Sequence, residues 1–161
     1  MIKILKTIDS KEILQAYKSI EEGILWTEFG HTGKQAGLQF KLGEDTWTSS
    51  VGKRRADEVF YDQLNEFFSG TVFDTIIKEY NLKRTRLMWV NSKSCYSMHH
   101  DQNPRIHIPL ITDPQCFFIF KRGFIINLAV NNVYWVDTRE PHTFANCSDF
   151  NRLHLVGSVV A

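Results

Sequence analysis

From Arg84 onward the chain is a succession of short runs rich in β-branched and aromatic residues, broken at close intervals by turn-forming residues. The runs are Arg84 to Val90, Arg105 to Leu110, Cys116 to Lys121, Phe124 to Val130, Val133 to Asp137, His142 to Asn146 and Arg152 to Val160. Between them stand Asp113-Pro114, Lys121-Arg122-Gly123, Asn131-Asn132, Glu140-Pro141 and the polar stretch Asn146 to Asp149. Strands this short bury their apolar sides only against one another. So many of them, joined by tight turns, predict an antiparallel sandwich or barrel.

The first half reads differently. Ile2 to Ile8 has the pattern of a short strand. Asp9, three residues before Glu12, starts a helix that carries Ile13, Leu14, Tyr17 and Ile20 at helical spacing and ends near Gly23. Leu25 to Gly52, rich in Gly, Thr, Ser and Trp, is expected to form a hairpin with strands at Gly37 to Leu42 and Asp45 to Ser49. Ala56 to Phe68 is expected to be an amphipathic helix, and a further helix follows Gly70. The fold class expected is therefore mainly β, with N-terminal helices packed on one face of the strand-rich core. With 161 residues there is room for one domain: a helical and hairpin support region over 1–82 and a catalytic core over 83–161.

Composition narrows the function classes. Lys and Arg total 19 against 18 for Asp and Glu, so no strong field favours a nucleic acid or an anionic membrane as partner. Charges at Lys3 and Lys6 interrupt the N-terminal residues, and runs such as Phe117 to Phe120 are far shorter than the ~20 residues that span a bilayer. A cytoplasmic protein is expected, with Cys95, Cys116 and Cys147 as small buried hydrophobes. Of the six histidines, five fall at or after residue 99.

Those histidines sit in local patterns. In an extended chain residues i and i+2 project to the same side, so His99 and Asp101 converge on one point while His100 faces away. A third ligand from His142 would complete a two-histidine, one-carboxylate set with open positions for substrate and oxygen, which suits Fe(II). A His-x-Asp triplet alone also arises by chance on a surface loop. Arg152 lies ten residues after His142, on a strand where Arg152, His154 and Val156 share one face and Leu153 and Leu155 the other. Arg105 and His107 lie likewise opposite Ile106, Ile108 and Leu110. Such faces are either solvated, or they line a shared cavity where a guanidinium clamps a carboxylate.

The order His99-x-Asp101, Arg105-x-His107-x-Pro109-Leu110, then His142 and Arg152-x-His154-Leu155 resembles the aspartyl/asparaginyl β-hydroxylase group of Fe(II)/2-oxoglutarate-dependent oxygenases, which also includes free-proline hydroxylases. The resemblance covers residues 95–160, and residues 25–52 loosely through Gln35 to Gln39 and Trp47. It implies a double-stranded β-helix, a jelly-roll core of cupin-like form. It also implies His99, Asp101 and His142 as metal ligands, and Arg152, with Arg105 and His107, as contacts of 2-oxoglutarate. The activity implied is hydroxylation of an unactivated C–H bond with Fe(II), 2-oxoglutarate and O2, releasing succinate and carbon dioxide. The substrate expected is a free amino acid or a peptide or protein residue, bound by a monomer or homodimer. Lys34, Gln35, Gln39 and His154 are candidate substrate contacts, and Phe117, Phe118, Phe120, Tyr134 and Trp135 are assigned to the core. Two other readings compete: a cupin-type metalloenzyme that does not use 2-oxoglutarate, and a non-catalytic jelly-roll binding module.

Overall fold

The chain enters the fold along β1 (Ile2–Thr7) and turns at Asp9, whose side chain accepts from Lys11 N at 2.9 Å and starts α1 (Ser10–Ile20). The structure is a computed structural model that describes residues 1–53 and 57–161. After α1 come β2 (Thr27–Glu28), β3 (Gly33–Gly37), β4 (Gln39–Phe40), β5 (Gln63–Leu64) and α2 (Val72–Glu79). The strand-rich half follows as β6 (Lys83–Val90), β7 (Ser94–Cys95), β8 (Arg105–Ile111), β9 (Cys116–Phe120), β10 (Ile125–Ile126), β11 (Asn132–Val136), β12 (His142–Asn146) and β13 (Arg152–Ser158).

Two antiparallel sheets form the core, and β4 and β5 pair as a small third sheet. The major sheet has the order β1-β11-β8-β13-β6-β3-β2, the minor sheet β10-β9-β12-β7. Strands β6 to β13 pass back and forth between the sheets as in a jelly roll, with β9 and β10 forming a hairpin within the minor sheet, while β1, β2 and β3 from the first half extend the major sheet at its edges. Strand parity divides the major sheet into two faces. On one, Leu87, Ile106, Ile108, Leu153 and Leu155 pack against Ile13 and Tyr17 of α1 and Phe73, Ile76 and Ile77 of α2. Burying each such side chain is worth about 1.5–3 kcal/mol, so the helices cover this face and leave the other to the minor sheet. Between the sheets, Val90, Tyr134 and Val136 meet Phe118, Phe120 and Phe144. No helix is long and apolar enough to cross a membrane, among the described residues.

Three local expectations fail. Glu58–Phe60 and Glu66–Phe68 are separate 3-10 turns instead of one helix, and Ala56 lies outside the described residues. The reason is local competition: Asp57 and Asn65 each accept the backbone N–H two residues on, and Gln39 pairs with Leu64 between the two turns. Asp45 to Ser49 is a turn, because the Asp45 carboxylate accepts from the N–H groups of Trp47 and Thr48 at 3.0 and 2.8 Å; the hairpin forms at β2 and β3 instead. Cys95 and Cys147 are exposed free thiols, and only Cys116 is buried, packed between the sheets.

Candidate active site

His142 opens β12 and faces His99 across a narrow backbone pair, with N–H to O distances of 2.9 and 2.8 Å. Two residues beyond His99, Asp101 N donates to Thr138 O at 2.8 Å, which fixes its side chain on the same side. The ligand atoms of His99, Asp101 and His142 all lie within 4.8 Å of one another. His99 Nδ1 is 2.8 Å from Ser97 O and His142 Nδ1 is 2.8 Å from Glu140 O. A carbonyl oxygen only accepts, so Nδ1 is the donor in both rings and Nε2 is the atom each ring has available for a metal. Burial pushes the His142 imidazole below its ordinary value despite the Glu140 carbonyl and Asp101. Burial raises the Asp101 carboxyl, but Arg105, by charge and hydrogen bond, brings it below the usual range. Two imidazoles and one carboxylate form a donor set that suits Fe(II). Phe118 stacks on His142 with centroids 4.9 Å apart, so this core residue also walls the site. His100 is exposed.

Behind Asp101 lies a buried ionic relay. Arg105 Nε donates to Asp101 Oδ2 at 2.6 Å and its Nη2 to Glu58 Oε1 at 3.0 Å. Glu58, 2% exposed, also accepts from Arg84 Nη1 at 2.8 Å and from Asn103 Nδ2 at 3.0 Å. Burial raises the Glu58 carboxyl, yet Arg105, Asn103 and Arg84 outweigh it and hold it at about 2. Arg84 shifts in the opposite sense for a pair: burial, with Arg105 beside it, lowers its guanidinium despite Glu58. A guanidinium keeps its proton regardless, so the carboxylate side decides how this pair responds to pH.

The inward face of the major sheet carries the remaining polar groups in cross-strand rows. One row runs Tyr134, His107, Val156, Arg86, Gly37; the next runs Pro109, His154, Met88, Gln35; Arg152 stands opposite Val90 beyond them. Arg86, His107, Arg152 and His154 are 4%, 6%, 2% and 0% exposed. Arg152 packs its guanidinium 3.7 Å from the Phe144 ring centroid and contacts His154 Nδ1, and among the described residues no carboxylate pairs with it. Arg86 Nη1 donates to Gln35 Oε1 at 3.1 Å. Arg86 Nε, both nitrogens of His107, Arg152 Nε and His154 Nε2 have no hydrogen-bond partner among the described residues. Burial, then the neighbouring guanidinium groups, pushes His107 and His154 well below the ordinary imidazole value, so both rings are neutral. Burial lowers Arg152 to about 9, which leaves it charged at neutral pH.

Not every expected contact converges here. Gln39 spends its amide on structure, donating to Leu82 O at 2.9 Å and accepting from Thr85 N and Oγ1 at 3.1 and 2.8 Å. Lys34 lies on the helix side of β3, paired with Trp89 in register, with its ammonium 4.9 Å over Trp26. Gln35 does face the barrel interior. Glu58 and Asn103 escape sequence reasoning because nothing local marks which acid among Asp57, Glu58 and Asp62 turns inward, 47 residues from the arginine it holds.

No family model matches the chain, and no curated protein matches it. Among solved structures the fold is similar to an oxidoreductase of the 2OG-Fe(II) oxygenase family from Burkholderia pseudomallei, at 12% identity and TM-score 0.62, over 98% of this chain and 82% of that one. It is similar to a prolyl hydroxylase in complex with a hypoxia inducible factor peptide fragment from Trichoplax adhaerens, at 13% identity and TM-score 0.55, over 98% and 83%. A DMSP lyase from Ruegeria pomeroyi matches at 12% identity and TM-score 0.56, over 98% of this chain and 66% of that one. These likenesses establish a jelly roll shared with 2-oxoglutarate oxygenases and with a lyase.

Proposed function

We propose that the protein is an Fe(II)- and 2-oxoglutarate-dependent oxygenase of the aspartyl/asparaginyl β-hydroxylase-like group, which hydroxylates an amino acid or an Asp-, Asn- or Pro-like residue of a peptide. One observation carries the reading: a His-Asp-His cluster with free Nε2 atoms shares a barrel interior with Arg152, a buried guanidinium that lacks a carboxylate. Each buried polar group without a partner costs about 1–3 kcal/mol, and a carboxylate-bearing co-substrate relieves that cost at Arg152 and His107 together. His99, Asp101 and His142 would hold Fe(II), which with 2-oxoglutarate and O2 supplies oxidising power sufficient for an unactivated C–H bond.

The protein's own groups do the positioning. Ser97 and Glu140 carbonyls fix the imidazole tautomers, and Arg105 keeps Asp101 ionised and oriented. Neutral His107 offers an N–H to a carboxylate oxygen beside the Arg152 charge. Phe118, Phe120 and Phe144 exclude water from the interior.

Anaerobic addition of Fe(II) and 2-oxoglutarate is expected to give a visible charge-transfer band. His142→Ala abolishes it, while Arg152→Ala keeps iron binding and loses 2-oxoglutarate. A wild-type protein that binds iron but gives neither the band nor succinate with any amino acid or peptide overturns this reading in favour of a metalloenzyme that does not use 2-oxoglutarate. A protein that binds no metal overturns both.

A further inference from the structure

We infer that Arg86, oriented by Gln35, anchors a carboxylate of the substrate itself, so that the molecule hydroxylated is an acid or carries an acidic residue. The inference deepens the oxygenase reading and rests on it. It starts from the charges inside the barrel. Arg84, Arg86, Arg105 and Arg152 are all buried there, against the carboxylates of Glu58 and Asp101. Glu58 takes Arg84 and Arg105, and Asp101 takes Arg105 again. Arg86 and Arg152 are left over. On the oxygenase reading 2-oxoglutarate brings two carboxylates, one for the metal and one for Arg152. Arg86 then remains a buried cation with no direct ion pair among the described residues, offset only by the fields of Asp101 and Glu58, which already hold other arginines, and a buried cation so placed is costly until an anion reaches it.

The geometry separates the two arginines. Arg86 lies opposite Val156 and Arg152 opposite Val90, so their backbones stand four residues apart along β6 and β13, about 13 Å at strand rise. Their side chains are held by different groups, Arg86 by Gln35 Oε1 at 3.1 Å, Arg152 by Phe144 and His154. Arg86 also lies on the Asp101 side: its row, shared with His107, adjoins the row of Arg105 and Ser158. Gln35 in turn accepts from Gly52 N at 3.1 Å, so its oxygen is fixed before any ligand binds. Arg86 Nε, without a partner, remains to donate to a carboxylate oxygen. A substrate whose carboxylate sits there brings a neighbouring carbon toward the metal ligands.

The test uses the full chain loaded with Mn(II) in place of iron and with N-oxalylglycine as an unreactive analogue of 2-oxoglutarate. Acetate, titrated into this complex and followed by NMR line broadening or calorimetry, reports an unfilled carboxylate site, with acetamide as the uncharged control. Saturable binding of acetate but not acetamide is expected, weakened about tenfold or more by Arg86→Met. N-oxalylglycine should still bind Arg86→Met and fail to bind Arg152→Met. Equal acetate binding by wild type and Arg86→Met, or no acetate binding by wild type, overturns the inference. So does loss of N-oxalylglycine from Arg86→Met, which would make Arg86 a co-substrate contact. If wild type itself does not bind N-oxalylglycine, the oxygenase reading falls, and acetate titration of the Mn(II) protein alone decides whether Arg86 is an anion site. Should Arg86→Met not fold, Arg86→Lys, expected to retain part of the affinity, and Gln35→Leu, expected to lower it, give the same decision.

Discussion

Asp101 owes its setting to residues distant in the chain. Arg105 holds it, and Glu58, reached from the opposite direction, holds Arg105. The Glu58 carboxyl lies at about 2 in the fold against an ordinary 4.5, so its contribution is complete above 4.5 and is lost as pH falls through the folded value. That contribution is about 3 kcal/mol. Urea unfolding at descending pH should therefore weaken the wild type through this window, while Glu58→Gln starts less stable and loses less across it, the remainder coming from carboxylates such as Asp101. A parallel pH dependence in the two proteins would remove Glu58 from this role. At the same scale, the sequence made His99 and Asp101 legible because parity in an extended chain is a property of adjacent residues. The partner of Arg105 was not legible, since position on β8 says which face the side chain takes and nothing about which acid arrives there from residue 58.

Among elements, β13 carries two opposite requirements on alternating residues. Leu153 and Leu155 are fully buried toward the helices, whereas Arg152 and His154 are equally buried toward the minor sheet with polar atoms unsatisfied. Leu155→Ala is expected to cost about 2–5 kcal/mol in urea unfolding. Arg152→Met should cost little or raise stability without ligand, because it removes an unpaired buried charge. Comparable losses from both would make Arg152 a structural residue. The β3 entry is equally specific: Gly33 has φ 147°, and a Cβ there would stand 2.0 Å from Trp89 O, so Gly33→Ala should separate β3 from β6 and lower Tm. Strands β6, β8, β11, β12 and β13 were readable because their faces are apolar and polar by turns. The stretch 57–68 misled because Val59, Phe60 and Phe67 follow a helix-like pattern yet stay exposed, while Asp57 and Asn65 restart the turn locally.

For the whole molecule, the proposed ligands bind the folded state alone. At a hundredfold excess over Kd, Mn(II) and 2-oxoglutarate each add about 2.7 kcal/mol, or about 5–10 °C in Tm for a chain of this size. In Arg152→Ala the metal increment should persist and the 2-oxoglutarate increment vanish; a wild type whose Tm ignores both would contradict a built site. The jelly roll as a whole was readable from many short strands, but the inward turning of the polar faces was not, because parity leaves open which face meets solvent. The candidate metal cluster is mounted on the minor-sheet side through β12, and Arg86 and Arg152 are mounted on the major sheet through β6 and β13. On the proposed function, a small dianion gripped at both ends would work as a strut between two plates. Amide exchange in β12 and β13 should slow together when it binds, one brace stiffening two walls.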